Sequence, residues 1–226
     1  MTAYQEKLTP DKLRLLATGF QELRDGSLYM IIGTLLLFIG IAAIYFTVGL
    51  TIHAGSLAGA VTAVVAGGLL SLIAAILMLL GLVKWKHGGS YFKQFDPAHY
   101  SYAESGPKYM LWSVYIGILA LIIMAVGAIA SSGGLVGAGV LLAIIAGLVG
   151  LIGVILFGLF LLRIKDLSVM YGLNVPDFTV DAVLWFLGIL FELLTFIATI
   201  LIYMHAGEAV TAIRLAETEL AKGGEA

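Results

Sequence analysis

The sequence predicts an all-α, polytopic transmembrane helix bundle of five spans. Two repeated hairpins and one C-terminal span make up the bundle, and an amphipathic N-terminal helix lies at the membrane interface. Three observations predict it. Five apolar stretches, Ser27 to Leu50, Leu57 to Val83, Tyr109 to Ala130, Leu135 to Leu162 and Ala182 to Met204, each run 22 to 28 residues, and about 20 suffice to cross the hydrocarbon of a bilayer. Hydrophobic residues form 61% of the 226-residue chain, too large a share for an ordinary soluble domain. Lys and Arg gather on alternate connections, as they do when one side of the membrane keeps the positive charge. In lipid no water satisfies backbone N–H and C=O groups, so each stretch must be a helix that satisfies its own.

Residues 1–26 form a cytoplasmic amphipathic segment. Thr9 caps a helix that has Pro10 at its first position, and Leu13, Leu16, Ala17, Phe20 and Leu23 share one face. That face suits either the membrane surface, with Lys12, Arg14 and Arg24 toward headgroups, or the protein's own bundle. Residues 27–83 are the first transmembrane hairpin and 109–162 the second. Tyr29-Met30 matches Tyr109-Met110, and Gly59, Ala63, Ala66 and Gly67 match Gly139, Ala143, Ala146 and Gly147, an offset of 80. After a one-residue slip, Ile76-Leu77, Lys84 and Lys86 match Ile155-Leu156, Arg163 and Lys165. Small residues recur at every fourth position through Gly59, Ala63, Gly67, Ser71 and Ala75, and again through Gly139, Ala143 and Gly147. Such stripes let helix backbones approach closely.

The cytoplasmic connector 84–108 mixes Lys84, Lys86, Lys93 and Lys108 with Trp85, Tyr91, Phe92, Phe95, Tyr100 and Tyr102. Gly88-Gly89 and Asp96-Pro97 break it into short pieces. Its aromatics belong at headgroup level and its lysines, with Trp85, contact anionic lipid or a partner protein. A second cytoplasmic connector covers 163–181. Span 5 then covers 182–204, and an extracytoplasmic helical tail, 205–226, runs until Gly223-Gly224 stops it. Ten Lys and Arg lie inside and two, Arg214 and Lys222, outside. The expected setting is the plasma membrane, with the N-terminus cytoplasmic and the C-terminus outside.

Candidate chemistry is sparse. Glu192 is the charged residue deep in a span, and Thr195, Thr199 and Tyr203 follow it along one helix face. The stripe faces the bundle, as an ion- or proton-coordinating site or as a protonated acid that fixes packing. His53 and His205 near the outer surface are the alternative, a haem or metal site. Net charge is −2 and there is no cysteine, which argues against nucleic-acid partners and removes disulfide and thiolate chemistry. No cofactor or catalytic constellation is expected. None of the connections reaches the roughly 50 residues of a folded extramembrane domain. The expected function is therefore a non-catalytic integral membrane protein, an accessory or assembly subunit of a larger complex that contacts lipid, other membrane subunits or a second copy of itself. The alternatives are a small transporter or channel using Glu192, or a redox subunit.

Leu23-Arg24-Asp25-Gly26, leading into Tyr29-Met30-Ile31-Ile32-Gly33, resembles the start of span 1 in an uncharacterised family of archaeal multi-span membrane proteins. Phe95-Asp96-Pro97, followed by Tyr100 and Gly106, resembles that family's connector before the third span. The similarity covers roughly residues 12 to 165. It implies an archaeal plasma membrane and assigns no activity or functional residue.

Overall fold

A computed structural model describes residues 8–54 and 57–223, with side chains described except at 50–58, 60, 63 and 223. The described residues contain no strand. The helices are α1 (Pro10–Ala54), α2 (Leu57–Phe95), α3 (Ser101–Ile129), α4 (Gly133–Arg163), α5 (Asp166–Tyr171), α6 (Thr179–Leu187) and α7 (Glu192–Gly223). Five of them, α1 to α4 and α7, contain stretches long and apolar enough to cross a membrane. The chain is a polytopic helical bundle.

The helices outrun the apolar stretches and build a second region. Large apolar side chains are exposed from Leu28 onward in α1, up to Leu80 in α2, from Tyr109 in α3 and up to Leu159 in α4. These levels coincide across the four helices and define a stem. Below them, where water would surround the chain, apolar side chains turn inward. Leu13, Phe20, Trp85, Phe92, Tyr100, Phe157, Phe160, Phe178 and Ile213 are almost wholly buried there. The Trp85 ring stacks on Phe157 at 4.5 Å, and Phe92 meets Phe20 and Phe160 edge-on at 4.7 and 4.9 Å. This second packed region is not anticipated by the lengths of the connections. A helical head is assembled from the start of α1, the end of α2, the start of α3, the end of α4, and α5 to α7. No single connection is long enough to reveal it.

The expected segment boundaries change with it. The segment 1–26 is not separate, because α1 runs unbroken from Pro10 to Ala54. Thr9 does cap this helix, accepting from the Lys12 N–H at 3.3 Å. Its apolar face is buried in the head, the second of the two settings expected for it: packing on the protein's own bundle. The connector 84–108 is largely helical: α2 continues to Phe95 and α3 starts at Ser101. Gly88-Gly89 does not break α2. Without side chains, Gly88 lies against the Gly19 carbonyl and Gly89 against the Ala103 backbone, so two helices close on α2 from two sides. In the connector 163–181, Gly172 ends α5 at φ 68°, a left-handed conformation that glycine adopts without strain.

The small residues pack at a spacing of seven rather than four. Gly19, Gly26, Gly33 and Gly40 of α1 meet Gly88, Gly81, Ala74 and Gly67 of α2 in antiparallel register. Gly106 and Ala120 of α3 meet Gly153 and Gly139 of α4, and Gly117 approaches Ala146. Of the expected stripe, Gly67 packs against Ile44 and Ser71 donates to the Gly67 carbonyl at 2.9 Å. Ala75 and Ala143 do not follow: Ala75 is exposed, Ala143 is also exposed, and Gly147 has nothing near it. Gly59 lies in the first turn of α2, and the side chain of Ala63 lies outside the described residues. By contacts Gly67 corresponds to Gly139, an offset of 72 rather than 80. The second hairpin thus has eight fewer residues beyond this contact, about one turn less in each of its two helices.

Span 5 is the largest departure. Residues 182–204 are two helices, since α6 ends at Leu187 and α7 begins at Glu192 after a turn at 188–191. The α7 helix runs back along the first half of α1, where Arg24 reaches Tyr203 and the Arg14 Nε lies 2.7 Å from the Glu217 carboxylate. The two terminal segments therefore lie at one end of the bundle. Every Lys and Arg among the described residues sits at the head end.

Candidate functional site

Chemistry concentrates where the head meets the stem. The turn between α6 and α7 closes over a cavity of about 290 Å3 lined by Met30, Met110, Ser113, Gly150, Trp185 and Thr195, among others. Trp185 donates from Nε1 to the Val154 carbonyl at 3.0 Å, and the Phe186 ring lies on Gly158, so α6 is seated on α4. Gly188 abuts Thr195, which lets α7 fold back tightly.

This geometry divides the expected polar stripe. Thr199 is buried and donates to the Thr195 carbonyl at 2.8 Å. The Tyr203 hydroxyl accepts from Arg24 at 3.3 Å, with the guanidinium 5.2 Å from the ring centroid. Thr195, Thr199 and Tyr203 therefore face the protein. Glu192 is exposed and opens α7, where the positive end of the helix dipole favours a carboxylate. A bundle-facing Glu192 is corrected: the apolar run around it conceals a turn, and that turn places it at a helix end.

The expected outer histidine pair is also corrected. His205 sits in the head, close to Gly207 and so to Arg24. His53 lies 29 residues further along α1, roughly 43 Å at 1.5 Å per residue. The His205 Nδ1 instead lies 2.9 Å from Asp181 Oδ2, with Phe178 against the ring. Asp181 has no exposed surface. Burial pushes its carboxyl up, and the hydrogen bond and charge of His205 only partly oppose that.

A second Asp–His pair closes the loop after α2. Asp96 Oδ1 accepts from the backbone N–H groups of Ala98 and His99. Its Oδ2 lies 2.9 Å from both the His99 Nδ1 and the Tyr171 hydroxyl of α5. Burial pushes this carboxyl up, but the hydrogen bonds from Tyr171 and His99 and the His99 charge outweigh it, leaving Asp96 below the usual carboxylate range. Arg163 donates to the His99 carbonyl at 3.0 Å and Tyr100 to the Arg163 carbonyl at 3.4 Å. Burial pushes the Tyr100 phenol far up. These groups pin α2, α4 and α5 together. Sequence spacing shows the i, i+3 relation of Asp96 and His99 but not the partner Tyr171, which is 75 residues away.

The basic aromatic connector separates into two sets. Lys84 pairs with Glu22 at 3.0 Å and Lys93 with Glu104 at 2.9 Å. Trp85 is 0% exposed, and its Nε1 donates to the Leu23 carbonyl at 3.0 Å. Trp85 as a lipid or partner contact is corrected, and Phe92, Phe95 and Tyr100 are likewise core rather than headgroup-level residues. Lys86 and Lys108 remain, lining one groove with Val83, Leu111, Trp112 and Tyr115.

A family described as "Protein of unknown function (DUF973)" matches residues 17–223, from the first turns of α1 to the end of α7. The chain belongs to the DUF973 family. The match takes in head and stem together, including α6 and α7, beyond the stretch that carries the resemblance in sequence. No curated protein and no solved structure matches the chain.

Proposed function

We propose that this DUF973 protein is a non-catalytic integral membrane protein, an accessory or assembly subunit that holds a folded helical head against the cytoplasmic face of the plasma membrane. The contrast between a head sealed around aromatics and a stem that turns its apolar side chains outward carries this reading. The head stabilises itself, and the stem offers lipid or neighbouring membrane helices an apolar surface on two hairpins. The gathering of described Lys and Arg at the head end supports a cytoplasmic head. The resemblance at Leu23–Gly26 supports an archaeal source.

In this reading α1 to α4 cross the bilayer and the hairpin of α6 and α7 only dips into its edge. The supporting observation is depth. The turn at 188–191 lines a cavity with Ser113, and α3 continues from there for 16 residues to Ile129, roughly 24 Å. The absence of native cysteine makes the test direct. A membrane-impermeant maleimide should label Ser132→Cys in intact cells and Thr218→Cys only after permeabilisation. The reverse pattern overturns the orientation, and outside labelling of both overturns the fold-back of α7. The subunit role is tested by cross-linking and purification from native membranes. Recovery of a strictly monomeric protein without a partner would remove it.

A further inference from the structure

We propose that the groove between α2 and α3 at the head–stem boundary is a binding site for one anionic glycerophospholipid, its phosphodiester held by Lys86 and Lys108 and its hydrocarbon laid over Leu111, Trp112 and Tyr115. The inference rests on the membrane orientation above only for depth. Its binding test is independent of which face is cytoplasmic and of any partner subunit.

Gly89 lies against the Ala103 backbone, so α2 and α3 are in close contact in the head. One turn toward the stem from that contact, Lys86 on α2 and Lys108 on α3 come to the same groove, and a further turn brings Val83 and Leu111. The groove has a volume of about 290 Å3 and is open on one side. Leu111 is 6% exposed and forms its apolar floor, while Trp112 and Tyr115 are about half exposed and stand edge to face at 6.3 Å. Tyr109, next to Lys108, is the first exposed large apolar residue of α3, and Leu80 is the last of α2. The groove therefore straddles the level at which hydrocarbon gives way to headgroups, where Trp and Tyr rings also gather.

Charge selects the occupant. Lys84 and Lys93, also in the former connector, are neutralised by Glu22 and Glu104. Among the described residues, neither the Lys86 nor the Lys108 ammonium has an ion-pair or hydrogen-bond partner. Two ammonium groups above an apolar floor match a ligand with a phosphate at one end and hydrocarbon at the other. A zwitterionic lipid would bring a choline cation to the same two lysines, at a cost in repulsion. A soluble anion would leave the apolar floor unused.

The test uses the full chain in mild detergent and native mass spectrometry, titrated with phosphatidylglycerol or with phosphatidylcholine of the same chains. One phosphatidylglycerol should be retained in preference to phosphatidylcholine. Each of Lys86→Gln and Lys108→Gln should weaken that retention about fivefold, as expected for roughly one lysine's attraction to an anionic headgroup. Lys165→Gln, an exposed lysine outside the groove, should change nothing. Melting of the lipid-free variants should match the parent, which separates lost binding from lost folding. Equal retention of the two lipids overturns the proposal, as does unchanged retention in K86Q and K108Q or an equal loss in K165Q. Complete displacement by chain-free glycerol phosphate would replace the lipid with a soluble anion and overturn it as well.

Discussion

Two tryptophans show how differently the two regions of this molecule are held. Trp85, in the head, has no exposed surface, stacks on Phe157 and donates to a backbone carbonyl. Trp112, at the base of the stem, is 53% exposed. Beyond the boundary layer that buries Met110, Leu111 and Phe157, the described buried hydrophobics of the stem are Ala74, Ala120 and Ala146. The head excludes water by filling its centre with rings, since burial of large apolar side chains is the main favourable term there. The stem has no such term, because lipid is as apolar as leucine. Its helices instead adhere through glycine-to-backbone contact, with the large side chains turned outward.

Glycine contact also closes the head between α2 and α3, and the largest effect is expected there. A Cβ at Gly89 would collide with the Ala103 backbone, whereas one at Gly147 meets nothing within 4 Å. Gly89→Ala should therefore lose the monodisperse folded protein, and Gly147→Ala should keep it, as read by size-exclusion chromatography and melting. An indifferent Gly89 would mean that α2 and α3 do not close in the head. Next in size are the large side chains. Trp85→Ala should lower unfolding free energy by about 3–5 kcal/mol, as for other buried aromatics cut to alanine. Phe46→Ala, at a residue 72% exposed in the stem, should leave melting in lipid nanodiscs unchanged. Similar losses at both positions would mean that the stem also has a packed core.

The smallest effects should distinguish the two Asp–His pairs. Asp96 is held below the usual carboxylate range, so its contribution is present above its unfolded pKa and lost as pH falls through the folded value. Tyr171→Phe should reduce stability near neutrality by about 1–2 kcal/mol and shrink the loss on acidification. Asp181 is pushed the other way, so its contribution is present below the unfolded carboxylate value and lost as pH rises through the folded one. Asp181→Asn should flatten that fall. Denaturation followed from pH 3 to pH 8 checks both signs, and identical pH profiles for parent and variants would remove both assignments.

How much of this was legible follows the same division. The apolar runs of α1 to α4 read directly, because length and composition suffice to mark a helix that lipid can accept. The face of Leu13, Leu16, Phe20 and Leu23 was also legible, but not what it packs against. The turn at 188–191 was hidden because Leu187, Ile189, Leu190, Phe191 and Leu193 keep the run apolar across it. With the turn hidden, Glu192 looked like a mid-span carboxylate. The spacing of seven in Gly19, Gly26, Gly33 and Gly40 stands in the sequence, but glycines at other positions, such as Gly49, obscure it. Pairing with Gly67 to Gly88 singles out the functional set.

Sequence by itself determined that this chain lives in a membrane as helices, because backbone polar groups in hydrocarbon have no other partner. Composition likewise settled which helices are apolar and which connections are basic. Only the tertiary structure decided that the polar ends of those helices form one head, that α7 returns to α1, and that Lys84 and Lys93 find ion-pair partners while Lys86 and Lys108 have none among the described residues. The physical reason is distance along the chain. Hydropathy is a property of neighbours in sequence, whereas the head is built from residues as far apart as Arg14 and Glu217, which meet only when every intervening helix is in place.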